Sequence, residues 1–167
     1  MFDRINLFAT RYEDINAERA KELNFCFFKN LTNSKLNTVL LSTEHRLKYC
    51  DFFKIVNNIT GPDDINIICN SDIYFEEDVD KYFKNMKHDQ CYALTRWDLN
   101  KDGTIQHMNR SDSQDSWIFK GPIKNINGDF NLGYRGCDNR IAYEINKAGY
   151  KITNPSKTIR SIHVHAS

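Results

Sequence analysis

Two rhythms of apolar and polar positions run along the 167-residue chain. Ile5-Asn6-Leu7-Phe8-Ala9 reads as a first strand, and Ala20, Leu23, Phe27 and Leu31 then mark one helical face. Asn37-Thr38-Val39-Leu40-Leu41 is a second strand. Thr43 is an N-cap candidate for a helix reaching about Asn57, with Leu47, Cys50, Phe53 and Val56 facing inward. Gly61-Pro62-Asp63-Asp64 is a turn, Ile65 to Cys69 a third strand, and a helix is expected from about Glu76 to Lys87. This β-α-β-α-β-α order predicts a mostly parallel sheet flanked by helices.

The second half has a different rhythm. Cys91 to Trp97 reads as a strand, Asn100-Lys101-Asp102-Gly103 as a hairpin turn, and Thr104 to Met108 as a return strand. Trp117-Ile118-Phe119 is a short apolar segment. Asn139 to Ala148 reads as a helix with Ile141, Ile145 and Ala148 on one face, stopped by Gly149. Lys151 to Thr153 and Ser161 to His165 are extended. The expected architecture is therefore one α/β domain over 1–167, with a nucleotide-binding half at 1–90 and a mixed, irregular half at 91–167.

In sheets of this kind ligands bind beyond the carboxyl ends of the strands, where Asn70-Ser71-Asp72 falls. A carboxylate at the end of a buried strand needs a partner. A divalent cation shared with a diphosphate is one such partner, and capping of a following helix is the alternative. In Ser161-Ile162-His163-Val164-His165 the two histidines share a face on a strand, as metal ligands or as surface residues near the end of the sequence. Gly133-Tyr134-Arg135-Gly136-Cys137-Asp138 precedes a helix, where Asp138 is either a cap or a general base. Ser111-Asp112-Ser113-Gln114-Asp115-Ser116-Trp117 is a polar loop that could wall a sugar pocket or simply be solvated. Asp98 to Gln106 matches the start of an EF-hand calcium loop, but Asn109 stands where that loop needs a bidentate glutamate, so a plain turn is expected.

Composition narrows the function classes. Apolar residues make up 40% and charged residues 27%, and the net charge of +1 gives no basic surplus for nucleic acid. No apolar run is long enough to span a bilayer, and the first residues lack a signal-peptide pattern, so a cytoplasmic protein is expected. The five cysteines form no Cys-x-x-Cys pair and are expected as reduced thiols.

Taken in order, several segments together resemble GT-A-type glycosyltransferases. They are Cys69 to Phe75, Thr95-Arg96-Trp97-Asp98, Ser113 to Phe119, Leu132 to Asn139 and His163-Val164-His165. The narrower resemblance is to compact enzymes of large DNA viruses that infect algae and protists, which would place the protein in host cytoplasm. The resemblance makes Asn70-Ser71-Asp72 an Asp-x-Asp-like motif with asparagine at its first position. It implies Mn2+ or Mg2+ on Asp72 and on His163 or His165. It puts Thr10, Arg11 and Tyr12 at the nucleotide base, Arg46 at the base or diphosphate, and Asn70 at the ribose, with Ser71 between Asn70 and Asp72 in the same nucleotide-sugar-binding motif. Arg96, Trp97 and Asp115 would shape the sugar pocket, Gly136 would let the backbone approach the nucleotide-sugar, and Asp138, or else Asp115, would be the base. The implied reaction transfers a sugar from a nucleoside-diphosphate sugar, UDP by analogy, to a hydroxyl of a glycan or glycoprotein. The rivals are a nucleotidyltransferase, a metal-dependent hydrolase and a non-catalytic nucleotide-sugar-binding module. The first of these lacks its Gly-rich loop, since Ala9-Thr10-Arg11-Tyr12 follows the first strand.

Overall fold

The computed structural model describes residues 1–165. Its elements are β1 (Ile5–Arg11), α1 (Ala17–Thr32), β2 (Asn37–Ser42), α2 (Tyr49–Ile59), β3 (Ile65–Cys69), β4 (Ile73–Phe75), β5 (Gln90–Leu94), β6 (Trp97–Leu99), β7 (Ile105–His107), β8 (Ser116–Lys120), α3 (Cys137–Lys147), β9 (Lys151–Thr153) and β10 (Ser161–His163). Six strands form the main sheet in the order β2-β1-β3-β8-β5-β9. All neighbours pair in parallel except β8, which runs antiparallel to both β3 and β5. The expected mostly parallel α/β sheet is therefore present, and it crosses the boundary at residue 90 without interruption.

The central strands β1, β3 and β8 are largely apolar on both faces because both faces are covered. Ile5, Leu7, Ala9, Ile65, Ile67, Cys69 and Ile118 join one buried cluster with Phe75, Val79, Phe83 and Met86. Phe8, Ile68, Trp117 and Phe119 join the other with Tyr49, Phe52, Phe53 and Val56 of α2 and Ile141 and Ile145 of α3. Successive side chains alternate between these clusters, as the two-residue period of a strand requires.

A second sheet, β4-β10-β6-β7, sits beside the first. It exists because the expected strand from Cys91 to Trp97 breaks. The Thr95 hydroxyl donates to the carbonyls of Arg110 and Ser113, turning the chain out of the main sheet before β6 begins. In the small sheet β10 pairs antiparallel with β4 and parallel with β6, so His163 lies opposite both Ile73 and Asp98.

Three expectations are corrected. No helix forms over 76–87; β4 is followed by a single 3-10 turn at Val79–Tyr82 with no side-chain cap. The segment is held by i→i−3 bonds such as Phe83 N–H to the Asp80 carbonyl, while Phe75, Val79, Phe83 and Met86 cover the sheet. A helix here would also oppose Glu76 to Asp80 at i,i+4, a destabilising like-charge pair. The second helix starts at Tyr49, not after Thr43, and Asp51 caps it by accepting the Lys48 N–H at 2.9 Å. Its deeply buried face is Tyr49, Phe52, Phe53 and Val56, with Cys50 and Leu47 only partly covered. Finally, Leu31 of α1 is exposed, and Asn30 is buried instead. The Asn30 amide explains the exchange: its nitrogen donates to the Ile73 carbonyl at 2.9 Å and its oxygen accepts from the Phe75 N–H at 3.2 Å, tying α1 to β4.

The hairpin turn at Asn100–Gly103 is a turn held by its own residues. Asp102 accepts from the Thr104 N–H, and Gly103 takes φ +85°, where glycine is favoured. The cysteines are free thiols. Among the described residues no helix is long and apolar enough to cross a membrane.

Candidate functional site

The carboxyl ends of three adjacent parallel strands meet at one edge of the main sheet. β1 delivers Thr10 and Tyr12, β2 delivers Thr43 to Arg46, and β3 delivers Asn70 to Asp72. Together with Arg19, Leu132 and Gly133 they line a pocket of about 450 Å³. β8, running the other way, starts at the same edge, so Asp115 reaches it too; its carbonyl accepts the Asn70 N–H at 3.0 Å.

Asp72 follows β3 in a turn, and no helix follows for it to cap. One of its oxygens, Oδ2, accepts from Arg19 Nη2 at 2.6 Å and lies 3.1 Å from His163 Nε2. Burial alone would raise the Asp72 pKa, but His163 and Arg19 outweigh it and take it down to about 2. His163 Nδ1 faces Asp98 Oδ1 at 3.0 Å. Burial disfavours the imidazolium, yet the bond to Asp72 lifts its pKa above the ordinary value. Asp98 also accepts from Arg96 Nε at 2.9 Å, and Arg96 Nη1 lies 3.8 Å from Asp115 Oδ1. One connected polar network thus runs Arg19, Asp72, His163, Asp98, Arg96, Asp115, Asn70.

Asp115 is the strained member. Oδ1 accepts from the Asn70 amide at 2.7 Å, but Oδ2 is buried without a partner. Burial pushes its pKa up to about 6, against Arg96 and with help from the charge on Asp72. Asp138 lies in the first turn of α3 and reaches across to accept the Gln114 N–H at 3.2 Å. Burial raises its pKa as well. Gly136, with φ +82°, caps the backbone of α3 and has open space around its α-carbon.

The remaining expected residues divide. Thr10, Tyr12, Arg46, Asn70, Ser71 and Asp72 line the pocket. Ser71 donates to the Thr10 carbonyl at 2.8 Å, fastening the β1 and β3 ends together. Arg46 Nη1 donates to the Gly133 carbonyl at 3.0 Å, and its guanidinium lies 4.9 Å from the Tyr134 ring centre. Arg11 turns away and sits over the Phe27 ring of α1. Trp97 is also outside the lining: its indole N–H donates to the Ser156 carbonyl at 2.6 Å and Arg160 lies over its ring. His165 lies beside Glu22 and Arg19, at 3.3 and 3.4 Å.

The sequence reading missed Arg19, Glu22 and Asp98. One signal was available for Arg19. It stands in the first turn of α1, where the helix dipole disfavours a cation, with an acid three residues on. A cation placed there needs partners from elsewhere in the chain. Asp98 falls in the Thr95-Arg96-Trp97-Asp98 segment, but its role does not show there, because its contact with His163 arises from the register of β6 and β10.

Among the described residues no group of three or more His, Cys, Asp or Glu side chains is arranged to hold a metal ion. No protein-family model matches the chain, and no curated protein matches it. Among solved structures, a mannosyltransferase from Pyrobaculum calidifontis, in complex with GDP-Man and Mn2+, is similar over 99% of this chain, with a TM-score of 0.54 and 15% identity. The chain spans 57% of that protein's length. A putative glucose-1-phosphate thymidylyltransferase from Bacillus anthracis, in complex with a sucrose, gives a TM-score of 0.39 at 9% identity, covering 90% of this chain and 86% of that one. The first likeness shows the fold: a Rossmann-like α/β arrangement shared with a glycosyltransferase.

Proposed function

We propose that this chain is a glycosyltransferase that moves a sugar from a nucleoside-diphosphate sugar to a hydroxyl of a glycan or glycoprotein. The observation that carries this reading is the pocket itself. It lies at the carboxyl edge of β1, β2 and β3, where such sheets bind nucleotides, with Asn70-Ser71-Asp72 on its floor and arginines in its walls. Tyr12 offers a ring for the base, and Arg46 a guanidinium for the base or diphosphate. Uridine is the donor base by family analogy, while the mannosyltransferase of the same fold was solved with GDP-Man. The likeness to compact viral enzymes rests on the sequence motifs alone.

The chemistry needs a base for the acceptor hydroxyl. Asp138 is that base in this reading and Asp115 its substitute; Asp115 is buried and Asp138 partly so, and burial raises the pKa of both, which makes each carboxylate a better proton acceptor. The hydroxyl oxygen attacks the anomeric carbon as its proton passes to the carboxylate. The bond to the diphosphate oxygen breaks, and the charge left there meets the cationic wall of the pocket. Mn2+ or Mg2+ is the cofactor the resemblance implies. The side chains as placed do not fit it, since Asp72 Oδ2 already meets Arg19 and His163, and no step is routed through a metal. The same geometry counts against a hydrolase that uses Asp72, His163 and His165 as ligands.

The second reading is a nucleotide-sugar-binding module without catalysis, favoured by the position of Asp138 and Asp115, neither of which is among the residues that line the pocket. Titration calorimetry with a panel of UDP- and GDP-sugars, with and without Mn2+, tests the common ground. Absence of binding to every one would sink both readings. Asp138→Asn then separates them: donor binding within about twofold of wild type and transfer reduced roughly a hundredfold identify the base. Transfer that persists removes Asp138 from that role.

A further inference from the structure

The metal expectation and the side-chain geometry disagree at one atom, Asp72 Oδ2. Arg19 Nη2 lies 2.6 Å from it, and His163 Nε2 lies 3.1 Å away on another side. The second ring nitrogen of His163 faces Asp98 at 3.0 Å. Both ring nitrogens of His163 thus face carboxylate oxygens, and Nε2 is aimed at the same Asp72 oxygen that a metal would have to share. A guanidinium, for its part, keeps its charge under all ordinary conditions. A divalent ion on Asp72 would sit about 2 Å from that carboxylate oxygen, beside a positive group already held there.

Arg19 is well fixed. Asn16 caps α1 by accepting the N–H groups of Glu18 and Arg19 at 3.0 and 3.1 Å, which sets where the side chain leaves the helix. Nη1 then donates to Glu22 at 3.0 Å and reaches the Val164 carbonyl at 3.4 Å. The side chain lines the pocket together with Thr10, Asp72 and Arg46, and it is the cation nearest the Asn70-Ser71-Asp72 floor that the hydrogen bonds show. His163 Nε2 meets the same Asp72 oxygen from the other side at 3.1 Å, so Arg19 is not its sole partner. Nη1 is taken up by Glu22 and Val164 and one Nη2 hydrogen by Asp72, which leaves the second Nη2 hydrogen and the Nε–H as donors for an incoming anion. Its planar fork of N–H donors matches phosphate oxygens, which a single point charge does not.

Resting on the nucleotide-sugar reading, we propose that Arg19 is the cation that meets the donor diphosphate here, so that donor binding needs no divalent metal. The charge that a metal would offset is offset by a side chain fixed before the ligand arrives. The site then has its electrostatic stabilisation in place without any ion to recruit.

The test is calorimetric titration of the whole chain with UDP and GDP, first in EDTA and then in Mn2+. The expected result is binding of at least one of them in EDTA, with an affinity within about threefold of that in Mn2+. Arg19→Ala should weaken this metal-free binding by roughly tenfold or more, the usual loss when a charged hydrogen bond is removed. The same variant should weaken the matching nucleoside monophosphate less. Arg19→Lys, which keeps the charge near Asp72, should fall between the two and guards against a variant that fails to fold. Binding that appears only with Mn2+ overturns the proposal but leaves the nucleotide-sugar reading standing. Metal-free binding that Arg19→Ala does not weaken overturns it in the same way. No binding of either nucleotide under any condition overturns both.

Discussion

Two buried aspartates sit at opposite edges of the same sheet and live in opposite conditions. Asp64 is 3% exposed and Asp115 is 6% exposed, so solvent exposure does not distinguish them. Asp64 accepts from Arg4 Nε at 2.9 Å, Asn6 Nδ2 at 3.0 Å and the Gly61 N–H at 3.0 Å. These bonds outweigh burial and hold its pKa below the ordinary value. Asp115 has one close donor, Asn70, and a buried oxygen with none. Its pKa is pushed up to about 6. The first edge uses its acid to close the sheet. The second leaves its acid underprovided beside a pocket, which is the condition of a group that must still accept something.

The contrast can be broken most severely at Asp64. Asp64→Ala removes the shared acceptor of three donors, and a loss of about 3 kcal/mol in urea unfolding is expected. A loss under about 1 kcal/mol would mean that the ladder is ornamental. Asp72 and Asp115 should then show opposite pH slopes. The lowered pKa of Asp72 contributes stability that is present above about 3.8 and is lost as pH falls through about 2. Asp72→Asn should therefore be less stable than wild type at pH 7 by about 2 kcal/mol, with the gap closing below pH 4.

Asp115 has the reverse sign. Its raised pKa favours the folded state below about 3.8, and that advantage is lost as pH rises through about 6. Relative to wild type, Asp115→Asn should gain on the order of 2 kcal/mol in stability at pH 8 over what it shows at pH 4. Parallel stability curves for the two proteins would remove the buried-charge account of Asp115. The smallest effect is expected at Gly136→Ala. Only its φ of +82° resists a side chain, since nothing lies within 4 Å of the added carbon. Roughly 1 kcal/mol of destabilisation should follow, read from the thermal midpoint.

The pocket edge was legible in the sequence because local pattern decides it. Strands β1, β2 and β3 are short apolar runs separated by helix-length segments, and that order places Asn70-Ser71-Asp72 at the carboxyl edge of the sheet. What failed was decided over long range. Phe75, Val79, Phe83 and Met86 carry near-helical spacing, yet they cover a sheet from an irregular segment. The break at Thr95 depends on the carbonyls of Arg110 and Ser113, far along the chain. The same break sends Trp97 into a second sheet, where Ser156 and Arg160 hold its ring away from the pocket. Arg19 was overlooked for a related reason. Its partner Asp72 lies 53 positions away, and only the β1–β3 pairing brings the start of α1 to it.

The claim that joins these observations is that the carboxyl edge of β1, β2 and β3 holds a nucleoside diphosphate. Chemical-shift mapping of the 15N-labelled chain with UDP and GDP tests it most directly. The account predicts shifts at Thr10, Tyr12, Arg19, His45, Ser71 and Gly133, and none at Asn6, Asp64 or Asn66 on the opposite edge. Shifts confined to the opposite edge, or absent with both nucleotides, would contradict it.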